Sequence, residues 1–141
     1  MITPKLCTSN ILLADDGSAH SRAAVELICD LQLADDSQIK ALRVFTPSDT
    51  ANVWLLENSL YETEKALCEN GKIVKSELIL GHPAEMILKT AEKDNANMIV
   101  IGAKGLRATL GILLGGVVQQ VAEHAERPVL VVRAPYNGLK R

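Results

Sequence analysis

The chain has 141 residues, with 15 Lys plus Arg against 17 Asp plus Glu, a net charge of -2, 48% apolar side chains and only 3% aromatics. That length suits one compact domain, residues 1–141, whose core of Leu, Ile, Val and Ala is large enough to fold without a disulfide or a structural metal. The charge balance, with no Lys/Arg run longer than two residues, argues against nucleic acid as a partner, because affinity for a phosphate backbone needs clustered cations.

No apolar stretch approaches the roughly 18 residues that span a bilayer, and the first ten residues lack the apolar centre of a secretory signal. A soluble, cytoplasmic protein without a membrane partner is expected. Cys7, Cys29 and Cys68 show no CxxC spacing and read as reduced thiols, while His20, His82 and His124 stand apart with no second ligand type at metal spacing, so no metal site is expected.

In chain order, Asn10-Ile11-Leu12-Leu13-Ala14-Asp15 is a short apolar run that reads as a strand. It stops at Asp16-Gly17-Ser18, a turn cluster that also supplies helix-capping oxygens. Ala24, Ile28 and Leu31, joined in part by Leu27 and Gln32, share one helical stripe, which predicts a helix of about four turns ending before Asp35-Asp36-Ser37. Ile39 to Phe45 is a second strand, cut off by Pro47-Ser48-Asp49. Leu56, Leu60, Thr63 and Leu67 mark a second helix that Asn70-Gly71 terminates. Ile73 to Leu80, bounded by Gly71 and Gly81, is a third strand. Pro83 suits the first turn of a helix, and Ala84, Ile87, Leu88 and Ala91 follow at i, i+3, i+4 and i+7. Asn97-Met98-Ile99-Val100-Ile101-Gly102 is continuously apolar, as in a strand buried on both faces. After a glycine-rich stretch, Val117, Val121, Ala122 and Ala125 mark a fourth helix; Pro128 to Arg133 is a last strand, and Tyr136 to Arg141 a polar tail.

Apolar strands separated by helices predict a doubly wound α/β fold, a parallel sheet with helices on both faces. In such sheets ligands occupy the crevice beyond the carboxyl ends of the strands, where strand order reverses. Two features fall at strand ends: Asp15-Asp16-Gly17-Ser18, and Gly102-Ala103-Lys104-Gly105 with Gly115-Gly116 at the start of the fourth helix. Glycines let backbone N–H groups approach an anion, and a helix N-terminus adds unpaired donors and the positive end of its dipole. Lys104 and Arg107 are the only basic residues between Asp94 and Glu126, and both lie in this loop, which favours an anion there.

Better-known phosphate signatures fail. Gly111 and Gly116 have P-loop spacing, but Val117-Val118 follow where Lys and Ser/Thr are needed, and the first strand ends in a single glycine rather than GxGxxG. A bland interpretation stands beside the anion site. In it Gly102 and Gly105 make a tight turn, Gly115-Gly116 let a helix pack closely, Asp16 and Ser18 cap the first helix, and Lys104, Arg107, His20 and His124 are surface residues. No nucleophile, base and acid can be assigned, so no catalytic residue is named.

Taken in order, Ile11-Leu12-Leu13 before Asp16-Gly17-Ser18, Leu42-Arg43-Val44, Gly81-His82-Pro83-Ala84, the spaced Gly102, Gly105 and Gly115, and the closing Pro128-Val129-Leu130-Val131-Val132-Arg133 resemble the universal stress protein family. The resemblance runs from about Asn10 to Arg133. It implies a five-stranded parallel sheet in the order 3-2-1-4-5, with Asp16 beside Gly102. In members that bind ATP, the positions matching Asp16 and Val44 surround adenine and ribose, and those matching Gly102, Gly105 and Gly115 hold the phosphates. It also implies a homodimer through the strand from Pro128 to Arg133, an edge rich in Val and Leu that invites aggregation unless covered.

One position departs from the pattern. The family's ATP-binding motif ends in Gly followed by Ser or Thr, whose hydroxyl bonds a phosphate oxygen; here Gly116 follows Gly115, so the backbone N–H is kept and the side-chain donor lost. A hydrogen bond to a charged group contributes roughly 1.5–3 kcal/mol, so triphosphate affinity is expected to fall by about ten- to a hundredfold, and AMP or ADP to suffer less. Asp15 doubles the negative charge beside Asp16 and is expected to lower anion affinity further. The expected function is a stress-response module that binds ATP, ADP or AMP and signals through dimer or partner contacts, with at most slow ATP hydrolysis and with Mg2+ left open. The alternative is a nucleotide-free homodimeric interaction protein of the same fold.

Overall fold

The first strand, β1 (Asn10–Ala14), is apolar at consecutive positions because both of its faces are covered. Ile11 and Leu13 enter one core, shared with α1 (Ala19–Asp30) and α2 (Val53–Glu69), while Leu12 and Ala14 enter another, shared with α3 (Pro83–Lys93) and α4 (Gly116–His124). With β2 (Gln38–Phe45), β3 (Ile73–Leu80), β4 (Met98–Gly102) and β5 (Val129–Val132), it forms one parallel sheet in the order β3-β2-β1-β4-β5. The doubly wound class and the strand order expected from the sequence and the resemblance are those observed. The computed structural model describes residues 9–105 and 114–138, and among them no helix is long and apolar enough to cross a membrane.

Strand order reverses between β1 and β4. Ala14 pairs with Leu42 on one side and Ile101 on the other, so the turn after β1 emerges level with the end of β4. The crossovers from these two strands run to opposite sides, and the gap between them is the place where such sheets receive ligands.

Some boundaries differ from expectation. Helix α1 ends at Asp30, short of the Leu31 and Gln32 counted in its stripe, because Leu31 is extended (φ -74°, ψ 138°) and turns the chain toward β2, which lets Leu33 close the bottom of the core at 9% exposure. A 3₁₀ turn, Pro47–Asn52, joins β2 to α2, and the Thr46 N–H donates to the Asp49 carboxylate across its start (3.0 Å). The polar tail is fastened to α1. The Ala134 N–H donates to His20 Nδ1 (2.8 Å), and the Tyr136 hydroxyl donates to Asp30 (2.5 Å). Loss of surrounding water and the Asp30 carboxylate push the Tyr136 hydroxyl up to about 12, so it stays a donor at neutral pH. His20, expected at the surface, is thus a half-buried acceptor that pins the segment after β5.

The carboxyl end of the sheet is tied by a buried charge pair. Arg43 points inward from β2 with its side chain 3% exposed; its Nε donates to the Asp15 carbonyl (2.9 Å) and its Nη2 to the Asp15 carboxylate (2.7 Å). The same carboxylate accepts Ser21 Oγ from α1 (2.5 Å), Thr63 Oγ1 from α2 (2.7 Å) and the Gly17 N–H (3.0 Å). Thr63, read from the sequence as part of an apolar stripe, is therefore a hydroxyl donor to a buried anion. Asp15 does not add its charge to that of Asp16 as expected, because Arg43 compensates it inside the protein. Gly17, at φ +79°, keeps the turn close to the guanidinium; a Cβ there would lie 3.3 Å from Arg43 Nη2.

Removing one partner of such a pair leaves the other charge buried and unpaired. Arg43→Leu is expected to destabilise the protein by about 3–5 kcal/mol, and Thr63→Val, which removes one donor of several, by about 1–3 kcal/mol. Urea unfolding of both variants checks this; an Arg43→Leu variant as stable as wild type would show that the pair does not hold the fold.

Candidate functional site

At the switch point, the ends of β1 and β4 border a crevice of about 340 Å³, within the size range of small-molecule sites. Its floor is apolar: Ala14, Leu42 and Ile101 from the sheet, Val44 at the end of β2, Pro83 and Ile87 from α3, and Val117 and Val118 from α4. Its rim is polar and glycine-rich. Asp16, Lys104, Gly102, Gly105, Gly115 and Gly116 all lie along it. The residues nominated from sequence as a binding site, Asp16, Val44, Gly102, Lys104, Gly105, Gly115 and Gly116, are thus gathered around one cavity; Arg107 lies outside the described residues.

Asp16 and Ser18 divide the work of the first turn. Ser18 Oγ accepts the Ser21 N–H (3.2 Å) and is the N-cap of α1, while Asp16 Oδ1 accepts the Ser18 N–H (2.9 Å) in an Asx turn. The capping role weighed for both residues belongs to Ser18. Asp16 stands exposed at the crevice mouth, beside the loop after β4.

That loop approaches closely because glycine stands at both of its points of contact. A Cβ on Gly105 would lie 2.7 Å from Asp16 Oδ2, and one on Gly102 would lie 2.7 Å from the His20 carbonyl carbon and the Ser21 nitrogen, backbone atoms that cannot swing aside. Gly102 therefore serves close packing of β4 on α1 at the same time as it borders the crevice. Across the loop, the Gly115 N–H donates to the Ala103 carbonyl (2.9 Å) and brings α4 to the rim.

Gly115 is the N-cap of α4 (φ -71°, ψ 158°) and, being glycine, brings no side-chain acceptor. The first N–H groups of α4 and the positive end of its dipole are thus left to whatever occupies the crevice. Gly116 is helical, exposed and surrounded by open space, with nothing within 4 Å of a Cβ placed there. Lys104 lies half-buried on the same side. The crevice accordingly combines an apolar floor with a rim that carries a carboxylate acceptor, a cation and the first amides of a helix. Among the described residues no group of three or more His, Cys, Asp or Glu is placed to hold a metal ion.

Sequence reasoning missed the apolar lining of Leu42, Pro83, Ile87 and Ile101, since each of these residues reads as ordinary core. The available signal was position. Each falls at the carboxyl end of a strand or at the start of the helix that follows one.

The description of the universal stress protein family matches residues 8–133. A universal stress protein of Thermus aquaticus is 32% identical over 136 residues, covering 87% of this chain and 97% of its own. Universal stress protein MJ0531 of Methanocaldococcus jannaschii is 30% identical over 139 residues, covering 89% of this chain and 82% of its own. Among solved structures, that of the MJ0577 protein superposes with a TM-score of 0.84 at 24% identity, covering 91% of this chain and 97% of the other. Since the match spans every strand of the sheet and both turns that meet at the crevice, the chain belongs to the universal stress protein family.

Proposed function

We propose that this chain is a cytoplasmic adenine-nucleotide receptor of the stress response, binding ATP, ADP or AMP at the switch point and passing occupancy on through a second copy or a partner. The combination of groups around the crevice carries the reading. Asp16 suits the ribose hydroxyls, the apolar walls at Val44 and Ile87 suit a flat base, and Lys104 with the amides of Gly105 and Gly116 suits phosphate. Proteins sharing the fold support it: a universal stress protein is described in complex with cAMP, another from Archaeoglobus fulgidus with dAMP, and an Arabidopsis thaliana family member with AMP bound. Gly116 favours a second reading, a nucleotide-free homodimer of the same fold, because the hydroxyl of the ATP-binding pattern is missing.

The dimer belongs to both readings. Among the described residues β5, with the sequence Val-Leu-Val-Val, pairs only with β4 and stands at the edge of the sheet, a template that proteins ordinarily cover. A second copy joined through the strand from Pro128 to Arg133 covers it. Sedimentation equilibrium should return twice the chain mass at micromolar concentration, and a concentration-independent monomer would refute the dimer.

Calorimetry with ATP, AMP and adenosine tests the site. Asp16→Ala should weaken ATP and adenosine alike by about tenfold or more, as the loss of a charged acceptor predicts. Gly116→Ser fits the helical backbone and open space there, and should raise ATP affinity by about tenfold with little change for adenosine. If neither the wild-type protein nor the Gly116→Ser variant binds any of these ligands at millimolar concentration, the nucleotide-free reading replaces this one.

A further inference from the structure

We infer that Ser18 is a positioning residue for the anion end of the crevice, and that it acts from the opposite face of the sheet. The inference rests on the nucleotide reading above. Ser18 is 4% exposed, and its side chain makes two hydrogen bonds of opposite sense. Its Oγ accepts the Ser21 N–H (3.2 Å), which is all that capping α1 requires, and its O–H donates to the carbonyl of Lys104 (3.2 Å), a residue 86 positions away. Ser18 thereby joins the turn after β1 to the loop after β4.

The second bond has a directional effect. In a trans peptide the C=O and the following N–H point opposite ways. Holding the Lys104 carbonyl toward α1 therefore turns the Gly105 N–H away from α1, toward the α3–α4 side where the crevice opens. The Gly105 nitrogen lies 3.6 Å from where a Cβ on Gly115 would stand, beside the N-cap of α4. One further donor is thus aimed at the place served by the first amides of α4. Glycine at position 105 makes this peptide easy to flip, since it has no Cβ to penalise positive φ. A flip would point the carbonyl oxygen at the phosphate, and the Ser18 hydroxyl holds the peptide against it. A carboxylate at position 18 could cap α1 but has no proton to give Lys104, whereas Thr can do both.

The test compares ATP with adenosine on wild type, Ser18→Ala and Ser18→Thr by calorimetry, and follows the Gly105 amide resonance of the full chain. Ser18→Ala should lose about tenfold in ATP affinity and less than about twofold in adenosine affinity, and Ser18→Thr should restore both. In the wild-type protein the Gly105 amide should shift downfield with ATP and stay put with adenosine. A residue that only caps α1 would lower the melting temperature of Ser18→Ala while leaving the ratio of ATP to adenosine affinity at the wild-type value, and that result overturns the inference. Should Ser18→Ala fail to fold, the wild-type amide decides: a Gly105 resonance indifferent to ATP overturns the inference and one that shifts upholds it. A wild-type protein that binds neither ligand removes the nucleotide reading itself and this inference with it, whereas wild-type binding with an unchanged ratio in Ser18→Ala removes the inference alone.

Discussion

The buried pairing of Asp15 with Arg43 is the interaction on which the carboxyl end of this sheet depends. Two charges withdrawn from water are tolerable only when every donor and acceptor around them is engaged. Here the carboxylate takes bonds from Arg43, Ser21, Thr63 and the Gly17 backbone, so β2, α1, α2 and the turn after β1 converge on one anion. Such a network is rigid because the loss of any member leaves a costly buried group behind. The consequence lies one residue further along, where the fixed turn holds Asp16 outward at the mouth of the crevice. Adjacent aspartates thus have opposite environments, one neutralised and buried, the other exposed at the crevice mouth.

Around that fixed turn the crevice is assembled by close approach. Gly102 lets β4 touch the first turn of α1, Gly105 lets the next loop pass the Asp16 carboxylate, and the Gly115 N–H bond to Ala103 brings the start of α4 to the rim. The amides and dipole of α4 are then part of the wall before any ligand arrives, which spares a ligand the cost of organising them. Apolar residues from α3 and α4 close the middle. Shape and polarity therefore follow from packing rules applied at one place in the sheet, and chemistry enters through a few exposed polar groups.

Much of this was legible locally. The apolar runs of β1 and β4, the spacing Ala84, Ile87, Leu88, Ala91 in α3 and the Pro83 that opens it are patterns of near neighbours, and near neighbours are what a sequence displays. The glycine loop with Lys104 was legible for the same reason, since strand ends in α/β proteins are where ligands bind. The strand order was not legible in periodicity and came from the likeness to a family. The end of α1 was not either: Leu31 leaves the helix because Leu33 is needed at the bottom of a core made by distant segments.

By itself, then, the amino-acid sequence determined the succession of strands and helices, the two-faced burial of the central strands and the set of small and charged residues gathered at strand ends, because hydrophobic period, capping and turn chemistry act over a few residues. Only the tertiary structure decided which aspartate is neutralised and which stands exposed at the crevice mouth, that Arg43 and Thr63 belong to one buried polar network, that His20 holds the segment after β5, and that the Ser18 hydroxyl reaches the Lys104 carbonyl. Each of these depends on partners dozens of residues away along the chain. The charge state, burial and direction of a side chain are set by what packs against it in space.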